Sequence, residues 1–312
     1  IVFFASLIAV LYHLGIMERL VRLIGGFIQL VLGTSKAESM SAATNIFIGQ
    51  SEAPIAIKPY LSSMSTSEIF AVMVGGMATV SGSVLGGYAA AGVDMRYLIA
   101  ASFMAAPAGL MMAKLIKPDS SDVSSDDSAV HEDILAHRAA NVIDAAAAGA
   151  LQGLQLALAI GALLLAFIGL IALINGMIGW GGSFFGFENL TMQQILGYLF
   201  QPVAFLIGVP WEETRQVGSL LGQKFVLNEF IAYLDFVASY QSELAPRTQA
   251  IVTFALCGFA CLSSIAIVVG GIGILVPERR AEMSRLGFLA VVGATLANLM
   301  SATIAGLMLT LS

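Results

Sequence analysis

Two long, predominantly apolar runs, residues 151–174 and 283–312, constrain this chain most. Each is long enough to cross a hydrocarbon core of roughly 30 Å as a single helix. The rest of the sequence agrees: 58% of the 312 residues are hydrophobic and only 11% are charged, against about 25% charged in an ordinary soluble domain. A water-soluble globule is excluded, and the expected fold class is an all-α polytopic membrane protein. The chain opens inside an apolar run, residues 1–12, without an initiator Met or a cleavable leader. The expectation is an N-terminally incomplete piece of a longer transporter-like protein.

Polar and Gly-rich interruptions divide the apolar stretches unevenly. Residues 1–17 read as a span, 18–32 as an amphipathic interfacial helix carrying Arg19 and Arg22, and 36–62 as two short helical halves meeting near Gly49 to Glu52, a re-entrant hairpin candidate. A span over 67–92 is interrupted at Thr79-Val80-Ser81-Gly82-Ser83, and another covers 97–116. Residues 117–140 are acidic and Ser/Asp-rich, a solvated cytoplasmic loop. The same order returns over 141–312: a span to about Met177, an interfacial helix from Thr191, a hairpin over 218–236, an interrupted span over 249–276 and a last span from Met283. A constant offset pairs Met17 with Met192, Gly33 with Gly208 and Glu38 with Glu213, so residues 1–116 and 141–312 read as two repeats. The positive-inside rule orients them. Arg19, Arg22, Lys36, Lys58, Lys114, Lys117, Arg138, Arg279, Arg280 and Arg285 fall on the cytoplasmic side, and Arg96, Arg215 and Arg247 fall outside. The two hairpins then enter from opposite faces, which makes the repeats inverted, an architecture of secondary transporters with sites near the midplane.

Several function classes drop out. A net charge of −6 with scattered Lys and Arg leaves no basic stripe for nucleic acid. Cys257 and Cys261 stand i,i+4 in one apolar segment, which suits neither a structural disulfide nor a four-ligand metal site. Enzyme signatures are missing, His13, His131 and His137 do not cluster, and the adjacent Ser51 and Glu52 are the one pair that could suggest an intramembrane hydrolase. What stands out is polarity inside the hairpins. Asn45, Gln50, Ser51 and Glu52 sit in an apolar hairpin, where an unpartnered carboxylate would cost several kcal/mol. Gly49 and Pro54 bracket a helix break that frees carbonyls for a cation and amides for a ligand. Asn228 and Glu229 repeat the pattern in the second hairpin. A Lys224–Glu229 pair is the competing structural reading, but i,i+5 spacing places the two about 140° apart on an ideal helix. The small polar interruptions 79–83 and 260–264 match one another across the repeats. Each taken alone fits hydroxyl back-bonding to the preceding turn.

These stretches resemble the concentrative nucleoside transporters: Gly33-Thr34-Ser35 with Glu38-Ser39-Met40, residues 45–54, 101–109, 218–235 and 255–264. The resemblance covers essentially the whole chain. It implies ion-driven uptake of nucleosides across the bacterial plasma membrane by a homotrimer, with no cofactor besides the coupling ion. Position by position, it implies that Gln50 and Ser51 contact the nucleobase with Glu52 assisting, and that Val84 lines the pocket. Glu229 and Ser264 are implied as ribose ligands with Phe259 nearby, and Asn45, Ile48, Thr79 and Val80 as a sodium site. The sequence departs from the family's pattern at Ser51 and Cys261, where Thr and Asn are usual, and at Thr79 and Ala266, where Ser and Gly are usual. Cys261 occupies a ribose-binding position with a thiol, a weak donor and acceptor; alternatively it packs as a small apolar side chain beside Cys257. The expected function is sodium-coupled nucleoside import by a moving unit of hairpins and broken helices. A proton-coupled carrier using Glu52 or Glu229 is the alternative, and a channel or structural membrane subunit is the alternative from a different class.

Overall fold

The computed structural model describes residues 1–50, 53–119, 139–184, 186 and 190–311. Ser51, Glu52, His131, His137, Arg138 and most of the acidic segment 117–140 therefore lie outside the described residues. Every regular element among the described residues is helical.

Helix α1 (Val2–His13) ends at Gly15, whose φ of 71° turns the chain before α2 (Ile16–Leu32), and the two axes differ by 83°. A left-handed residue at such a corner favours glycine. Met17, Val21, Gly25 and Ile28 face the protein, one helical stripe of α2. Its outer side carries Arg19 and an Arg22–Glu18 ion pair at one end, then exposed Leu23, Phe27 and Leu30, a surface suited to the headgroup boundary. Gly33 closes α2, and Ser35 with Glu38 forms a reciprocal capping box that starts α3 (Lys36–Asn45). The return arm is shorter and tighter than two α-helical halves: a 3-10 turn, Ala53–Ile57, followed by the single turn α4 (Lys58–Leu61). Pro54 inside that turn lacks the amide donor a regular helix would need.

A second capping box, Ser65 with Glu68, starts α5 (Thr66–Ala78). After a break, α6 (Gly82–Ala90) continues, and α7 (Met95–Ile116) follows, capped by Asp94. Helix α8 runs unbroken over Val142–Ser183, past the expected end at Met177. At 1.5 Å per residue its 42 residues span about 63 Å, twice the hydrocarbon thickness. The second half continues with α9 (Met192–Leu206), α10 (Thr214–Val226), α11 (Glu229–Asp235) with a π turn over Phe236–Tyr240, α12 (Pro246–Leu256), α13 (Leu262–Leu275) and α14 (Arg280–Leu311). Helix α10 starts earlier than residue 218 because Pro210 and the 3-10 turn Trp211–Glu213 launch it.

By length and composition, Thr66–Ala90, Met95–Ile116, Val142–Ala159 and Pro277–Leu311 can each cross a membrane. Their burial separates them into roles. An apolar 18-residue window of the broken unit Thr66–Ala90 is 89% buried inside the protein, whereas Val142–Ala159 is 17% buried. The first is therefore wrapped by other helices, and the second faces outward. Helix α8 meets α1 through Gly149 and Gly153: an added Cβ would come 2.6 Å from the Ala9 Cβ at the first and 2.7 Å from the Ala5 Cβ at the second. Small residues one turn apart let two backbones approach, and Ser6 Oγ donates to Ala146 O across the contact at 2.9 Å. Helix α10 lies equally close on α9, where a Cβ at Gly218 would sit 2.6 Å from Gly197 O. The remaining bulk is two apolar cores. One is built on Phe70, Met73 and Met77 of α5 with Val291 and Ala294 of α14, the other on Tyr88, Leu220, Tyr233 and Phe236. The two breaks lie where these cores meet.

Candidate functional site

The interruptions at 79–81 and 257–261 touch. Phe259 N–H donates to Thr79 O at 3.3 Å, and the Asn298 amide donates both to Ala78 O at 2.7 Å and to Cys257 O at 3.0 Å. One side chain on α14 thus caps the carbonyl ends of α5 and α12 together. Gly258 is required here, because an added Cβ would collide with Asn298 and lie 2.5 Å from Ala78 O.

The loop that follows α3 rests on the first break. Gly82 N–H donates to Phe47 O at 3.1 Å, and Ser102 Oγ donates to Ile46 O at 3.4 Å. The carbonyls of Ile48 and Val80 accept no hydrogen bond from a described residue. Thr79 Oγ donates back to Gly75 O at 2.9 Å, which leaves its lone pairs free. Asn45 is buried, and its Oδ1 has no hydrogen-bond partner among the described residues. Gly76 lets these groups converge: a Cβ there would stand 3.2 Å from the Gln50 Cβ and 3.9 Å from Asn45 Oδ1. Asn45 and Thr79, for which the family resemblance implies a sodium site, therefore flank one short stretch of α5. Side-chain and backbone oxygens without charge are the donor set of a hard cation. No three His, Cys, Asp or Glu side chains cluster among the described residues.

Gln50 faces α13. Its Nε2 lies 3.4 Å from Ser264 Oγ, and its buried Oε1 has no partner among the described residues. Cys261 Sγ is 3.2 Å from both Ser263 Oγ and Ser264 Oγ, so it turns toward these hydroxyls, while Cys257 Sγ lies 3.9 Å from Leu98 O. Both thiols are free. Gln50, Cys261 and Ser264 are thereby gathered into one polar cluster between the first hairpin and α13.

Glu229 belongs to a second cluster. Asn228 caps α11 by accepting from Ile231 N–H at 2.9 Å, which sets Glu229 at the positive end of the helix. Its Oε1 accepts from the Tyr88 hydroxyl at 2.9 Å. Tyr88 stacks on Tyr233 with ring centroids 4.5 Å apart, and Val84 is buried one turn before it on α6. The Lys224–Glu229 pair does not form: Lys224 Nζ donates to Ala255 O and Asn298 Oδ1, each at 2.8 Å. Phe259 is half-buried beside the second break, and His13 is the last residue of α1, a helix-end position. Three residues of this centre, Tyr88, Lys224 and Asn298, hold the site together without having been singled out as part of it from the sequence.

Comparison with known proteins identifies the family. The family described as Na+ dependent nucleoside transporter C-terminus matches residues 97–306, and that described as Nucleoside recognition matches 1–95. The nucleoside permease NupC of Helicobacter pylori is 52% identical over 316 residues, covering 100% of this chain and 74% of its own length. Sodium/nucleoside cotransporter 1 of Rattus norvegicus is 40% identical over 322 residues, covering 99% of this chain and 50% of the relative. Among solved structures, CNTnw in an inward-facing substrate-bound state superposes with a TM-score of 0.93 at 56% identity, covering 100% of this chain and 74% of that one. A variant of CNTnw in an outward-facing state gives 0.95 at the same identity, covering 100% and 75%. The chain spans about three quarters of the length of these bacterial and structural relatives. Its apolar helices make it a multi-pass protein of the plasma membrane. The chain belongs to the concentrative nucleoside transporter family, whose members carry nucleosides across membranes and are not enzymes.

Proposed function

We propose that the chain imports nucleosides by coupling them to an inward sodium gradient, with residues 1–116 and 141–312 acting as inverted repeats joined by the loop 117–140. The observation that carries the ion assignment is the buried Oδ1 of Asn45, the last residue of α3, which has no hydrogen-bond partner among the described residues and faces the Gly75–Gly76 stretch of α5 to which the Thr79 hydroxyl also bonds. A bare oxygen cluster in an apolar interior is costly without a positive partner, and sodium supplies one. On the same reading, Gln50, Ser51 and Glu52 meet the base, Val84 and Phe259 line the pocket, and Glu229, Cys261 and Ser264 meet the ribose. Ion binding on one side of the tip then orders Gln50 on the other, so sodium tightens nucleoside binding, and nucleoside must tighten sodium binding by the same factor. The outward, apolar length of α8 suits a contact between copies in a homotrimer.

The test is uridine binding to purified protein titrated with sodium against choline. Asn45→Ala should shift the sodium dependence to higher concentrations and leave affinity at saturating sodium nearly intact. Equal loss at every sodium concentration would count against the assignment, and binding that follows pH in place of sodium would favour a proton carried by Glu52 or Glu229.

A further inference from the structure

Lys224 occupies the last turn of α10 and is 3% exposed, deep among apolar side chains. Among the described residues it makes no direct ion pair with a carboxylate: its ammonium is held by two neutral oxygens, Ala255 O and Asn298 Oδ1, while Glu229 takes the Tyr88 hydroxyl and acts on Lys224 only through its field. A buried ammonium with neutral ligands costs several kcal/mol unless its surroundings carry negative potential. They do. Ala255 lies in the last turn of α12, whose carbonyl end bears the negative pole of the helix. Asn298 extends the arrangement by donating to Cys257 O and Ala78 O, the ends of both broken helices.

The two breaks are thus served differently. Near the carbonyl end of α5 lies Asn45 Oδ1, an acceptor without a donor among the described residues. The carbonyl end of α12 is met by a positive charge that is part of the chain. We propose that Lys224 is a built-in cation for the second broken helix, its ammonium holding the 257–261 break in the shape that presents Phe259, Cys261 and Ser264 to the sugar. It is a positioning residue, and the proposal rests on the site assignment made above.

The experiment compares the full chain with Lys224→Arg, Lys224→Met and Lys224→Ala, reading uridine affinity at saturating sodium and thermal melting. Lys224→Met keeps the length and removes the charge, so it should bind uridine about tenfold more weakly, the size expected for losing charge-assisted hydrogen bonds. Lys224→Arg should stay closer to the parent in both readings. In Lys224→Ala, propylammonium chloride should restore affinity and raise the melting temperature, where choline chloride at equal concentration does neither. A Lys224→Met protein that binds and melts like the parent while Lys224→Arg is impaired would overturn the proposal, since shape and not charge would then matter. Should the neutral variants be too unstable to bind, the melting of Lys224→Ala still decides: no rise with propylammonium over choline overturns it. If the parent itself does not bind uridine, the site assignment fails, and the melting series judges the cation separately.

Discussion

Gln50 presents a buried amide whose nitrogen reaches Ser264 at 3.4 Å and whose oxygen reaches nothing among the described residues. Such a group is poised to exchange a long internal contact for a nucleobase edge. Gln50→Ala should weaken nucleoside binding by about 1–3 kcal/mol, measured by calorimetry; an unchanged dissociation constant would remove Gln50 from the site. Cys261 gives the opposite sign. Its thiol stands 3.2 Å from two serine hydroxyls, so Cys261→Asn would place a full donor and acceptor among polar partners. Tighter nucleoside binding by about 1 kcal/mol is expected, with a smaller gain for a deoxyribose ligand; weaker binding or a lower melting temperature would contradict it. Asn45, Gln50 and Glu229 were legible in the sequence because polar side chains inside apolar segments are expensive without partners. Tyr88 and Asn298 were not, since a single Tyr or Asn in a long apolar helix reads as packing until its face is known. Lys224 was visible as a charge, but its partners include a backbone carbonyl, which no side-chain pattern reveals.

The elements owe their order to local signals that sequence carries well. Ser35 with Glu38 and Ser65 with Glu68 mark helix starts by the Ser-x-x-Glu spacing alone, and Gly15 and Gly33 mark corners through positive φ. Lengths were harder. The return arm Ala53–Ile57 tightens into a 3-10 turn at Pro54, and α8 runs on to Ser183 through Asn175, Gly176, Gly179, Gly181 and Gly182, residues of low helix propensity that read as an end. The crossing of the two breaks was beyond pattern reading, because it depends on Gly258 having no side chain where Ala78 O and Asn298 approach. Gly258→Ala should therefore push the broken helices apart and lower stability by about 1–3 kcal/mol, the usual range for overpacking. Thermal melting checks this, and a variant as stable as the parent would show that the crossing is looser than described.

At the scale of the whole molecule, a broken unit that is 89% buried over an apolar 18-residue window stands against a long outward helix that is 17% buried over its first 18 residues. That contrast separates a part able to carry a ligand from a part able to hold the membrane or another copy. The chain superposes on an inward-facing and an outward-facing relative at TM-scores of 0.93 and 0.95. Transport then needs an asymmetry to drive it, and the proposed source is the sodium gradient acting through Asn45 and Thr79. Radiolabelled uridine uptake into proteoliposomes, with and without an inward sodium gradient, tests this most directly. The account predicts saturable accumulation above the external concentration that collapses when the gradient is dissipated; uptake indifferent to sodium and driven by a proton gradient would contradict it.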